Sequence, residues 1–250
     1  MATGWKLTAD IGSPIEDATQ YRSIVGALQY AVITRPNIAF SVNRVCQFMQ
    51  SPCDVHLQAV KRILRYLQAT VDFGLRFSAS PRLSLTGFAD ANWGTDADDR
   101  CSTSGYCIYF AGNLVSRGSR KQQVVARSSA EAEYRSVACA AAEMAWLESL
   151  LSELRVTVHG KPVLWCDNSS AVAVCVNPIL HSKFKHVELD LFFVREMVAV
   201  GKLSVQEVPA FEQVADILTN LLSAPMFLKH RQRLLVSQVP GKSHVSRVEE

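Results

Sequence analysis

Several things are missing from this chain, and each absence narrows what it can be. It has seven cysteines (46, 53, 101, 107, 139, 166 and 175), an odd number with no CxxC pair among them. That argues against a disulfide framework or a zinc ribbon and for buried, reduced thiols. His181 and His186 are five positions apart, but no Cys or His pair at ligand spacing stands nearby to complete a zinc site. No stretch approaches the roughly 18 apolar residues of a membrane span, and no charged start leads into an apolar run with a cleavage site. The reading is therefore of an intracellular, cytoplasmic protein, with the nucleus as an alternative. Charge of one sign is scarce, since the formal net charge is only +3. That permits a nucleic-acid partner without requiring one. Internal repeats and low-complexity tracts are absent as well.

What remains is a globular composition, 48% hydrophobic and 20% charged over 250 residues. Residues 1–20 read as a loose segment. From Tyr21 three helical patterns follow: Tyr21 to Thr34, then Asn37 to Gln50 after Pro36, then Asp54 to about Ala69. The third exposes Lys61, Arg62 and Arg65, a solvated face that would also suit a phosphate backbone. Beyond Gly74 the period becomes that of strands. Leu83–Asp90 alternates and ends on a carboxylate, Ser104–Ala111 follows, Gly112-Asn113 reads as a hairpin turn, and a basic third strand runs from Leu114 to about Val125. Short turns between three strands imply an antiparallel meander.

A long helix begins at Ser128, where Ser128 and Glu131 have the capping-box form, and runs to about Leu154. Lys161–Asp167 is a second apolar strand ending on an acid. A short helix from Ser169, a helix from His186 to about Val200 and a strand at Lys202–Val208 come next. A last helix carries Val214, Ile217, Leu218, Leu221 and Leu222 at helical spacing. Residues 237–250 read as a flexible tail. The expected fold class is α/β, a mixed sheet with helices on both faces.

Four acids stand at element ends or in first turns: Asp90, Glu133, Asp167 and Asp216. Each has an ordinary structural reading. An Asp closing a strand is commonly a turn residue, Asp167 could cap the helix after it, and Asp216 could answer a helix dipole. Glu131 and Glu133 lie about 200° apart around a helix, so the capping role of Glu131 leaves Glu133 to point elsewhere. If the four converged, their repulsion would be tolerable only around cations. Hard divalent ions suit oxygen ligands, and two of them about 4 Å apart can drive an in-line phosphodiester displacement.

The wording of several stretches carries more. Phe-Ala-Asp-Ala-Asn-Trp (88–93), Ser-Thr-Ser-Gly-Tyr-Cys (102–107), Ser-Ser-Ala-Glu-Ala-Glu-Tyr (128–134), Leu-Trp-Cys-Asp-Asn (164–168), Lys-His-Val-Glu-Leu-Asp (185–190) and Gln-Val-Ala-Asp-Ile-Leu-Thr (213–219) follow one another in this order. Together they resemble the ribonuclease H region that closes the Pol polyprotein of copia-type LTR retrotransposons. Residues 21–80 resemble the connection segment that follows reverse transcriptase, and 81–236 the ribonuclease H-like domain with its five-stranded sheet. The resemblance implies that Asp90, Glu133, Asp167 and Asp216 are both catalytic and metal-binding. It implies two Mg²⁺ ions, with Mn²⁺ as a substitute, and endonucleolytic cleavage of the RNA strand of an RNA–DNA hybrid that leaves a 3′-hydroxyl and a 5′-phosphate. No membrane is involved. It also implies an upstream reverse transcriptase as partner. With no Tyr-x-Asp-Asp in the chain, the sequence reads as a fragment of a longer polyprotein.

Three positions depart from the resemblance: Asn92 stands where Asp is frequent, Arg117 where Trp is, and Asn220 where Lys is. Asn168 and Ser169 are candidates to donate to the RNA strand, as are Arg117, Arg120, Lys121 and Arg127 to hold phosphates, with His186 as a further substrate contact. Two other readings stay open. One is a catalytically silent remnant that only binds nucleic acid or a partner. The other is a strand-transfer enzyme or exonuclease on the same fold.

Overall fold

A computed structural model describes residues 7–176 and 188–239 of the chain. Three helices come first: α1 (Ala18–Ala31), capped by the Asp17 carboxylate, α2 (Ala39–Cys46), entered through a 3₁₀ turn at Pro36–Ile38, and α3 (Asp54–Gln68). They close over their own core of Tyr21, Val25, Val45, Val60 and Ile63, with the Tyr21 hydroxyl donating to Val45 O at 2.7 Å. The first helix thus starts three residues before Tyr21, where Asp17 offers a cap and Tyr21 already faces inward.

The expected mixed five-stranded sheet flanked by helices is present. Strands β2 (Leu85–Asn92), β3 (Thr103–Phe110) and β4 (Asn113–Lys121) form the antiparallel meander, while β5 (Val163–Cys166) and β6 (Ser204–Glu207) add in parallel, giving the order β4-β3-β2-β5-β6. The helix α4 (Ser129–Glu153) lies on one face. Its Tyr134, Val137, Ala141, Met144 and Leu147 are buried as the 3.6-residue period requires, against Leu85, Ala89, Ile108 and Leu164. Behind that face stand α5 (Ser169–Val176) and α6 (Glu188–Ala199). The opposite face, with Phe88, Cys107, Tyr109 and Leu114, is covered by a 3₁₀ turn (Val214–Leu218), by α2 through Ala39, and by the C-terminal segment through Leu234 and Val236.

Several boundaries differ from expectation. β2 runs two residues past Asp90, because Asn92 accepts a hydrogen bond from Thr103 N at 2.6 Å and keeps the ladder going. The hairpin turn is Ala111-Gly112, both with positive φ (52° and 75°), one position earlier than Gly112-Asn113. The two positive φ values match the twist of the flanking strands. The single last helix is in fact a 3₁₀ turn and a separate α7 (Ala224–Arg233), which restarts at Ser223-Ala224-Pro225; proline suits a first turn and breaks what precedes it. Finally, β7 (Val236–Gln238) reaches past the expected limit of order to pair antiparallel with β1 (Phe73–Leu75), tying the segment after α3 to the end of the described chain.

Candidate active site

Asp90 projects near the end of the central strand β2, and the sheet brings the other three acids to it. Asp167 follows β5, the parallel neighbour of β2. Glu133 comes from the second turn of α4, whose start is fixed by Ser128 Oγ accepting from Glu131 N at 3.2 Å. Glu131 itself turns aside to accept from Arg127 N and to pair with Arg135 at 3.0 Å. Asp216 rides the 3₁₀ turn on the other face.

That turn can come so close because position 105 is glycine. Gly105 is the register partner of Asp90. A Cβ there would lie 2.5 Å from Thr219 Cγ2 and 2.9 Å from Leu218 Cβ. Bare backbone at this point lets the turn reach over and place Thr219 Oγ1 as a donor to Asp90 Oδ2. Asn220 Nδ2 then lies 3.3 Å from Asp216 Oδ1 and 3.5 Å from Asp90 Oδ2.

Asp90 and Glu133 are buried, at 4% and 6% exposure, while Asp167 and Asp216 are partly open. Among the described residues, no Lys or Arg forms an ion pair with any of the four. Their protons are held accordingly. Burial, then the Asp216 carboxylate, pushes Asp90 up to about 7 against the donor effect of Thr219. Burial, then Asp90 and Asp167, pushes Glu133 up to about 10, and burial with Asp167 pushes Asp216 up to about 6. The common cause is negative charge gathered in a poorly solvated place with neutral donors only.

This donor set fits a hard divalent cation. Oxygen ligands converge, two are desolvated, and the positive charge they call for is supplied by no protein group among the described residues. Glu133, Cys166 and Asp167 also offer ligand atoms within 4.8 Å of one another. Burial, then Glu133, pushes the Cys166 thiol up.

The chain is 45% identical to "Retrovirus-related Pol polyprotein from transposon RE2" of Arabidopsis thaliana over 240 residues, 96% of its own length. It is 39% identical to "Retrovirus-related Pol polyprotein from transposon TNT 1-94" of Nicotiana tabacum over 83% of its length. The chain belongs to the copia-type retrotransposon Pol polyproteins. This Pol segment spans about 16% of the length of those relatives. No family model matches it. Among solved structures, "LC11-RNase H1 in complex with RNA/DNA hybrid" covers 55% of the Pol segment and 94% of that chain at 16% identity and a TM-score of 0.42, too loose a likeness to add to the argument.

The substrate candidates of the Pol segment fall into three groups. Lys121 is held at 2.9 Å by Asp96 and at 2.8 Å by Asp99, and Arg44 of α2 joins the same Asp96. Arg117 donates to Val32 O at the end of α1. Both therefore have internal partners and brace the helical segment against β4. Arg120 and Arg127 are exposed, and so is Ser169. Asn168 caps α5, its Oδ1 accepting from Ala171 N at 3.0 Å, which frees Asp167 from that duty. His186 lies outside the described residues. Four neighbours of the cluster escaped the sequence reading as contributors: Cys166, Gln213, Thr219 and Asn220. The stretches 164–168 and 213–219 contain Cys166, Gln213 and Thr219, and Asn220 stood out only as a departure from the resemblance. Among the described residues no helix is long and apolar enough to cross a membrane.

Proposed function

We propose that this Pol segment is a ribonuclease H-type endonuclease that cuts the RNA strand of RNA–DNA hybrids with the help of divalent cations. The observation that carries the reading is the meeting of four carboxylates, from β2, α4, the end of β5 and the 3₁₀ turn, with no cationic partner among the described residues. Asp90, Glu133, Asp167 and Asp216 would hold two Mg²⁺ ions, with Mn²⁺ able to replace them. When bound, such ions activate water and stabilise the leaving oxygen of a phosphodiester. The protein's own part is to hold the acids in place. Thr219 and Asn220 orient Asp90, and the buried side of the cluster keeps bulk water from Glu133. Asn168 Nδ2 and Ser169 would reach the 2′-hydroxyls of the RNA strand, and Arg120 and Arg127 the phosphates that flank it. In the intact polyprotein, residues 21–80 would connect to a reverse transcriptase upstream, and the site of action would be intracellular.

The test is cleavage of a labelled hybrid by the purified chain in Mg²⁺, with single-stranded RNA and duplex DNA as controls. Only the hybrid's RNA strand should be cut, and Asp167→Asn should stop cutting while leaving hybrid binding intact. A mutant that nicks as fast as the parent would show the site to be misassigned. A parent that binds hybrid and cuts nothing would point to the silent remnant instead.

A further inference from the structure

Gln213 is fully buried, with 0% of its surface exposed. Its amide is used on both sides. Nε2 donates to Ala89 O at 2.9 Å and to Asp167 Oδ1 at 3.4 Å, and Oε1 accepts from Ala215 N at 3.2 Å. One side chain thus touches the strand one residue before Asp90, touches Asp167 directly, and starts the turn that carries Asp216.

A glutamine that merely capped the turn would need only its oxygen. Here both amide hydrogens are given to two other segments, and those segments are the ones that carry acids. Ala89 O is a strand carbonyl adjacent to Asp90, so its position and that of Asp90 are rigidly linked. Asp167 is partly exposed at the edge of the cluster. No other hydrogen bond to its carboxylate is seen among the described residues.

We propose that Gln213 is a positioning residue that sets the spacing of Asp90, Asp167 and Asp216 for a divalent cation. The inference rests on the nuclease reading above, because it gives that spacing a ligand. An amide is the one side chain of this shape that can donate twice to oxygens and still accept from the turn. Groups that orient metal ligands in this way typically change metal affinity about 10–100-fold when removed.

The experiment is a calorimetric titration of Mn²⁺ and Mg²⁺ into the full chain and into Gln213→Met, which keeps length and bulk without hydrogen bonds. Titrations are run well below each protein's melting transition, so that loss of fold is not counted as loss of affinity. The variant should bind both ions at least about tenfold more weakly. Its Mg²⁺ requirement for hybrid cleavage should move up by the same factor, with KM for the hybrid unchanged. Gln213→Asn, an amide one methylene too short, should show the same displacement and serves if the Met variant does not fold. Parent-like dissociation constants in a folded variant would overturn the proposal and leave Gln213 as a brace of the fold. A parent that binds no divalent ion and cuts no hybrid would defeat the nuclease reading and this inference together. A parent that does both, beside an unaltered variant, would defeat this inference alone.

Discussion

Replacing Asp90 by Asn should make the metal-free protein more stable, the reverse of what a buried substitution usually does. The ordinary value of 3.8 rises to about 7 in the fold, through burial and then Asp216. A group whose folded value is raised gives its full stability below the unfolded value and loses it as pH climbs through the folded one. For Asp90 the window is therefore about pH 4 to 7, and above it the penalty for holding the charge is complete. Each tenfold displacement of the proton equilibrium is about 1.4 kcal/mol, which sets a ceiling of about 4 kcal/mol. Glu133 and Asp216 share the proton with Asp90, so about 2–3 kcal/mol is the expected gain for the Asn variant at pH 8. In a protein of this size that is about 4–12 °C in Tm. The Asn side chain can still accept from Thr219, so nothing is lost on that side. The assay is thermal melting of both proteins in chelator from pH 4.5 to 8.5. The curves should lie closest at pH 4.5 and part further as pH rises. Mg²⁺ at about a hundred times its dissociation constant should then return about 2.7 kcal/mol to the parent and little to the variant. An Asn variant that melts below the parent at pH 8 without metal would refute the account of uncompensated charge.

Gly105→Ala should lower Tm by the equivalent of about 1–3 kcal/mol and weaken Mn²⁺ binding, both read on the same sample, since its Cβ would press on Thr219 and Leu218. Arg120→Ala should weaken hybrid binding and reduce the slope of log affinity against log salt by about one, whereas Lys121→Ala should leave that slope alone and cost about 1–3 kcal/mol of stability by leaving the buried Asp96 to Arg44. Asn220→Lys should raise the metal-free Tm at pH 8 and raise the Mg²⁺ concentration needed for half-maximal cleavage, because an ammonium beside Asp90 and Asp216 would compete with the metal.

What could be read from the sequence was what is decided locally. The meander shows in the alternation of 83–90 and 104–111, and α4 in its cap and its buried row. Glu133 could be separated from Glu131 by helix geometry alone. What could not be read depends on partners distant in the chain. Nothing near Val236 announces pairing with Leu75. Lys121 looks like a phosphate ligand until the Asp96 loop folds onto it. The strand expected to end on Asp90 runs on because the Asn92 side chain is engaged by Thr103 N and Thr219 O, a contact made across the chain.

The most instructive departure is the helix expected over residues 214–222. Its apolar spacing suits an α-helix and a 3₁₀ turn almost equally, since both bury positions three apart. Gln213, Asp216 and Thr219 are three apart, and all three face the cluster. The 3₁₀ turn itself spans Val214–Leu218, with Gln213 extended just before it and Thr219 off helical values just after it, so these two flank its ends. One short segment thus supplies an acid and two of the neutral donors that orient the others. Bare backbone at Gly105 lets that segment sit against the strand. The apolar spacing reports the burial of Val214, Ile217 and Leu218, and side-chain hydrogen bonds from Gln213 and Thr219 hold the two ends of the turn at the cluster.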